Sequence, residues 1–383
     1  MKNRKTRTGV LLVCSLIFTL LFPVQMGAAE PVSSDSQAYV LLDAASGEPL
    51  VQSQADEKRA PASMTKIMTM LLAVEAMEAG TVAPTDMVTA TETASGMGGS
   101  QIYLETGEQM TLHDLMIATA VESANDACAA IAEYVGGTME DFVARMNERA
   151  QELGMESTHF VNCNGLPDEG HISTAHDMAL LGLEAVKHSK MLEYSSIQEA
   201  ELRNGKTKIV NTNKLLKNYE GADGLKTGWT TEAGNCLTAT ALRDGLRLIC
   251  VVMGGTETDS QFKDAQSLLD YGFENYAYQN YFTKENICAS IPVEKGSQDV
   301  IELIAAEDVG TSYKKELGDT LSYSLMTEPS VEAPVQEGTK LGEISIFVGG
   351  ECQKTVPLVA ASGVERGGFV RQFEKMLREV FLY

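Results

Sequence analysis

Residues 61–79 set the strongest constraint on how this 383-residue chain folds. They read PASMTKIMTMLLAVEAMEA, and Ile67, Met68, Met70, Leu71, Leu72, Val74, Ala76 and Met77 spread almost all the way around a helix. A helix with no polar face is buried, so other elements have to cover it. Lys66 stands at the head of this run, and lysine is almost never fully buried without a partner. Ser63 precedes it by three residues, one helical turn, which puts hydroxyl and ammonium on one face. Lys66 is therefore either an ordinary lysine at a helix margin or a base set beside a nucleophile.

The covering elements can be read on both sides. Residues 38–43 (AYVLLD) predict a strand and 49–52 its return, joined by the turn A-A-S-G-E. The buried helix runs from about 63 to 79 and is closed by Gly80. Residues 91–100 (TETASGMGGS) read as a polar, glycine-rich loop. Helical periodicity dominates 112–188, clearest at 112–135, 138–153 and 176–188. Strand character returns at 236–242 and 246–253 around R-D-G, and Asp-Gly is a strong hairpin signal. A last helix, 261–271, ends near Gly272. The first 275 residues thus interleave an antiparallel sheet with a helical lobe. From about 283 the pattern changes to short β-type runs at 287–293, 300–305, 320–325, 341–347 and 354–358, as in a small all-β domain. Residues 328–338 (EPSVEAPVQEG) read as an edge or loop, because proline cannot donate to a ladder.

The two ends have their own patterns. Lys2, Arg4, Lys5 and Arg7 precede the apolar run 9–22, and Gly27, Ala28 and Ala29 follow, so 1–29 is expected to be a secretory signal peptide. Removing its four basic residues takes the formal charge from −23 to −27. So acidic a body argues against nucleic acid, or bare anionic lipid, as its partner. Six cysteines remain beyond Cys14, none in a C-x-x-C, and no histidine pair has ligand spacing, so no metal or cofactor is expected. Residues 367–383 (GGFVRQFEKMLREVFLY) place Phe369, Phe373, Met376 and Val380 on one apolar face, with Val370, Leu377 and Phe381 beside them. About 15 helical residues span roughly 23 Å, too short and too charged to cross a bilayer. The expectation is an amphipathic interfacial helix giving peripheral membrane contact; the alternative is a helix docked on its own β-domain.

Three S-x-x-K matches occur: Ser63–Lys66, Ser260–Lys263 and Ser312–Lys315. Such a pattern arises by chance about once in a chain of this length, so context has to separate them. Only the first opens a buried helix, whose positive end favours a developing negative charge; the other two are expected at the surface. Two further short motifs follow in order, Ser123 and Asn125 within VESANDAC, and Lys226-Thr227-Gly228 within GLKTGWT; taken singly, the first could be a helix-interrupting turn and the second an ordinary strand entry.

This trio resembles that of the penicillin-recognising serine transferases. More narrowly, the chain is similar to the low-molecular-mass penicillin-binding proteins that are D-alanyl-D-alanine carboxypeptidases. The likeness runs from about residue 36 to the C-terminus, through PASMTKIMT, GSQIYLETGEQMTLHDLM, SANDACAAIAEYVGG, NGLPDEGHISTAHDMALL, DGLKTGWT and AQSLLDYGF. It implies an α/β (α+β) serine transpeptidase/β-lactamase-like catalytic domain over 30–275, a small β-sandwich over 283–362, and the amphipathic helix 367–383. It also implies an exported enzyme, peripheral on the outer face of the cytoplasmic membrane, that trims D-Ala-D-Ala stem peptides of peptidoglycan and is blocked covalently by β-lactams.

The resemblance assigns roles as well. Ser63 would attack the carbonyl between the two D-alanines, with neutral Lys66 as base, since desolvation and the nearby cation Lys226 both favour the neutral form. Ser123 would relay the proton to the leaving amine. Asn125 would bind the substrate amide and orient Lys66. Lys226 and Thr227 would hold the terminal carboxylate, with Gly228 letting substrate lie along the strand edge. Backbone N–H groups of Ser63 and Trp229 would form the oxyanion hole. Relatives commonly carry an arginine where this chain has Gln261, which weakens the expected carboxylate clamp. His159, His171 and His176 are read as structural or surface residues. The rivals are a serine β-lactamase, for which Glu169 would have to activate water, and a non-catalytic penicillin- or peptide-binding sensor. Action on cross-links, as an endopeptidase, also stays open.

Overall fold

The computed structural model describes Val32 and residues 34–381. The expected signal peptide, 1–29, lies outside the described residues. Five antiparallel strands form the central sheet in the order Pro49–Ser53, Ala38–Asp43, Leu246–Gly255, Gly234–Arg243, Ala222–Thr230. All six residues of Ala38–Asp43 are buried, because both faces of the sheet are covered. Val40 and Leu42 join Ile67, Met68 and Leu71 of the buried helix in one core. Tyr39 and Leu41 face the other way, against Ala265, Leu268 and Leu269 of the helix Ser260–Asn275. A strand buried on both faces reads as a continuous apolar run rather than an alternation, which is how AYVLLD reads.

The buried helix starts differently from the expectation. Residues Ala62–Thr65 form a 3₁₀ turn, and the α-helix proper is Lys66–Glu78. The periodic stretch 112–135 is two helices, Leu112–Val121 and Asn125–Gly136, broken at Ser123, whose φ is 63°. A short helix, Glu92–Ser95, capped by the Thr91 hydroxyl, stands in the expected loop 91–100. Beyond Ala175–Ala185 a further helix, Ser189–Ser195, was not signalled by periodicity. The last helix of this part does not stop near Gly272 but continues to Asn275. Gly272 is there for packing: a Cβ would lie 2.5 Å from Leu248 Cδ1 and 2.9 Å from Leu41 Cδ2. The R-D-G hairpin is as expected, with Asp244 and Gly245 both at positive φ, 48° and 82°.

Strand pairing of the β part begins at Tyr276, ahead of the expected 283, because Tyr276–Phe282 pairs with Val309–Lys314. Six further strands run in the order Ser322–Thr327, Lys340–Val348, Glu351–Ala360, Val300–Ala305, Ile287–Glu294, Val331–Glu332. Val331–Glu332, inside the proline-bearing stretch, is the edge. Their core is aliphatic, centred on Val293, Leu303, Ile344, Ile346, Val356 and Leu358. The last described element is the helix Phe369–Phe381, on which Phe369, Val370, Phe373 and Met376 are exposed. Among the described residues no helix is long and apolar enough to cross a membrane.

Candidate active site

Within residues 61–70 every side chain is buried except Ser63, which is partly open to solvent. The turn that presents it is strained, since Ala62 sits at φ 47°, a region that costs a non-glycine residue about 1–2 kcal/mol. Lys66 has no exposed surface. Its Nζ is 2.9 Å from Ser63 Oγ and donates to the Asn164 carbonyl at 2.7 Å. Burial lowers its pKa to about 8, against a smaller opposing pull from the thiols of Cys128 and Cys163. Lys226 is also buried, at 1% exposure, and makes one weak hydrogen bond, to the Thr227 carbonyl at 3.4 Å. Burial, reinforced by repulsion from Lys66, takes its pKa down to about 7. Two lysines thus share a water-poor pocket that disfavours two charges.

The other S-x-x-K serines have no such partner. Ser260 is buried, contrary to the surface expectation, while Lys263 is exposed. The Ser312 hydroxyl donates to Asp43 Oδ1 at 2.8 Å. Ser63–Lys66 is the one match of the three with hydroxyl and amine in contact.

The remaining motif residues surround this pair. Ser123 is buried between its two helices, and its hydroxyl has no hydrogen-bond partner among the described residues. Contrary to the expectation that it would orient Lys66, Asn125 makes no hydrogen bond to that lysine. Its Nδ2 donates to Gly98 O at 2.6 Å, and its Oδ1 is buried without a partner. Lys66 is instead anchored by Asn164, which sequence reasoning missed. Thr227 Oγ1 lies 2.6 Å from Thr212 Oγ1. Gly228 lies against the nucleophile turn: a Cβ would come within 3.0 Å of Pro61 O and 3.1 Å of Ser63 N. The Trp229 ring is 64% exposed, so it does not pack in the core. Gln261 is buried at the start of its helix with Oε1 unpartnered, and makes no hydrogen bond to Lys226 or Thr227.

The Asn164 carbonyl is held by its own loop. Asn162 Oδ1 accepts from Gly165 N at 2.7 Å and Asn164 N at 3.2 Å, and Thr69 Oγ1 donates to Cys163 O at 2.6 Å. His171 closes the support. Burial lowers its pKa to about 4, so it is neutral, and its Nδ1 accepts from Val161 N at 3.0 Å. The ring proton is therefore on Nε2, which donates to Thr65 Oγ1 at 2.8 Å. The only signal for this loop was the stretch NGLPDEGH. Glu122, next to Ser123, was also passed over; it is a half-buried carboxylate whose charge interacts with Lys226. Glu75, Glu184 and His188 gather elsewhere. Arg149 already donates to both carboxylates, at 2.8 and 2.7 Å, so this cluster is an ion-pair network. A hollow of about 580 Å³ beside Thr91, Glu133 and Tyr134 holds none of the motif residues.

A hydroxyl 2.9 Å from a buried amine of lowered pKa, beside a second lysine on a strand edge, is a site built for acyl transfer. Comparison with known proteins agrees. The profile of the family described as D-alanyl-D-alanine carboxypeptidase matches residues 25–257. The chain belongs to that family. The profile of the penicillin-binding protein 5 C-terminal domain matches residues 276–366. The chain is 37% identical over 343 residues to the D-alanyl-D-alanine carboxypeptidase DacF of Bacillus subtilis, covering 88% of each chain. Penicillin-binding protein 5 from Haemophilus influenzae has a similar structure, with TM-score 0.73 and 29% identity over 88% of this chain and all of that one. Penicillin-binding protein D2 from Listeria monocytogenes in its ampicillin-bound form matches at TM-score 0.58 and 32% identity, over 63% of this chain and 99% of that one. This carboxypeptidase is accordingly a serine hydrolase, with a mixed helix and sheet catalytic part followed by an all-β part.

Proposed function

We propose that this carboxypeptidase releases the terminal D-alanine of peptidoglycan stem pentapeptides through an acyl-enzyme on Ser63, and so limits cross-linking. The observation that carries the assignment is the 2.9 Å contact of Ser63 Oγ with Lys66 Nζ, an amine whose burial lowers its pKa to about 8. Neutral Lys66 takes the hydroxyl proton as Ser63 attacks. The N–H groups of Ser63 and Trp229 receive the developing oxyanion. Ser123 passes the proton to the leaving amine. The unpartnered Asn125 Oδ1 accepts from the substrate amide N–H, which removes the cost of a buried orphan acceptor. Lys226 and Thr227 hold the terminal carboxylate.

The test is covalent labelling by a fluorescent penicillin. Label is expected on Ser63 and absent from Ser63→Ala, with an unchanged melting temperature; label mapped to Ser260 or Ser312 would sink the assignment. Glu169 is exposed and makes no hydrogen bond among the described residues, which leaves it poorly suited to activating a deacylating water. The penicilloyl-enzyme is therefore expected to hydrolyse slowly. Rapid, repeated turnover of penicillin would favour a β-lactamase.

Two further readings concern location. Residues 1–29 serve as an export signal, and the exposed Phe369, Val370, Phe373 and Met376 lie in the headgroup layer on the outer face of the cytoplasmic membrane. Deleting 367–383 is expected to release active enzyme from membranes with unchanged hydrolysis of a soluble peptide. A truncated protein that unfolds, or stays membrane-bound, would make the tail a structural element.

A further inference from the structure

Nine non-glycine residues have positive φ among those described. Six are Gln54, Arg203, Asn204, Asp244, Asp259 and Lys295, polar residues of turns or element ends. The other three are Ala62 before the nucleophile, Ser123, and Tyr103 at φ 58°. Tyr103 is the one aromatic, and left-handed backbone costs such a residue about 1–2 kcal/mol that glycine would avoid. Strain of this kind persists where surrounding structure over-determines it, and it clusters at functional sites.

Here the surroundings are explicit. Ile102 N and Leu104 N, on either side, donate to the two oxygens of Asp126 at 3.2 and 2.9 Å. Ile102 O and Tyr103 O accept from the Arg203 guanidinium at 2.9 and 3.3 Å, and Glu108 holds that guanidinium in turn. Ser100 O accepts from Asn125 N at 2.7 Å. The segment is thereby fastened to the start of the helix Asn125–Gly136, whose first residue is Asn125 and which Ser123 precedes by two positions. Ile102 and Leu104 are buried, whereas the Tyr103 side chain is 77% exposed and makes no hydrogen bond or ring contact. Bonds to Asp126 and Arg203 thus fix the backbone while the aromatic ring stands out in solvent, three residues along from the Ser100 carbonyl that meets Asn125 N, without a polar or ring partner in the fold.

We infer that Tyr103 is a substrate-contact residue that packs against the part of the stem peptide preceding D-Ala-D-Ala. This rests on the carboxypeptidase reading, which also decides the side. The leaving portion is a single D-alanine whose carboxylate ends at Lys226 and Thr227, so substrate extends only toward the acyl donor. Because the backbone that carries the ring is already fixed, such a contact does not have to order the loop as well.

The test compares D-alanine release from a full stem pentapeptide and from N-acetyl-D-Ala-D-Ala. In Tyr103→Ala and Tyr103→Gly the ratio of kcat/KM values, long over short, is expected to fall about tenfold, mainly through KM. Tyr103→Phe is expected to keep most of the preference. Tyr103→Gly, which relieves the strain, is expected to melt no lower than wild type, a result that a structural role for the ring would not give. An unchanged ratio in all three variants, or unfolding of both the alanine and glycine variants, overturns the inference. Wild-type enzyme that releases D-alanine from neither substrate overturns the carboxypeptidase reading, and this inference with it.

Discussion

Lys66→Arg is expected to slow acylation of Ser63 on the order of 10²–10⁴-fold, the usual worth of a positioned base, while the protein still folds. Arginine keeps the cation and the length to reach Ser63 but stays protonated, so it cannot accept the hydroxyl proton. Stopped-flow acylation by a D-Ala-D-Ala peptide, with melting temperature as the control for folding, measures the loss. Turnover like that of wild type would remove Lys66 as the base. The two lysines also set a pH profile. The neutral fraction of Lys66 falls as pH drops below about 8, so acylation should fall toward tenfold per unit on that side. In the free enzyme Lys226 has the lower pKa, about 7, the reverse of what the proposed roles need. Bound substrate would correct this, because its carboxylate favours charged Lys226, whose charge then disfavours a proton on Lys66. The acid limb measured at saturating peptide should therefore lie below that of kcat/KM, the pair titrating as a unit. Coincident limbs would show that the carboxylate does not act on Lys226.

What could be read from the sequence divides along the range of the interactions involved. The buried helix, the R-D-G hairpin and the five-residue apolar core of AYVLLD are local patterns, and periodicity or turn chemistry was enough for them. The break at Ser123 was legible only as an alternative, because VESANDAC keeps helical composition across it; what breaks the helix is one residue at φ 63°. Tyr276–Phe282 escaped because its residues are mostly half-buried, so it lacks the clean alternation of a strand with one solvated face. The pairing of Ser63 with Lys66 was legible, since one helical turn separates them. The anchor of Lys66 was not. Asn164 lies 98 positions away and contributes a backbone carbonyl, which every residue type possesses. For the same reason Asn125 was given a task that the carbonyl performs.

Gly165→Ala is expected to cost several kcal/mol of stability, on the order of 3–5, and to abolish penicillin labelling of Ser63. Gly165 has φ 83°, and a Cβ there would stand 1.8 Å from Ala62 O, 2.3 Å from Ala62 C and 2.9 Å from Ser63 N. These are backbone atoms of the nucleophile turn, so no rotamer change can clear them. The loop would have to retreat, taking with it the Asn164 carbonyl that holds Lys66 at 2.7 Å. Gly170→Ala separates crowding from backbone strain, because Gly170 has the same φ of 83° but nothing within 4 Å of its would-be Cβ. That variant should lose only about 1 kcal/mol and keep its labelling. Urea midpoints and penicillin labelling of the two variants, side by side, decide the matter. If Gly165→Ala behaves like Gly170→Ala, the loop is not pressed against the nucleophile, and the alignment of Lys66 has some other source.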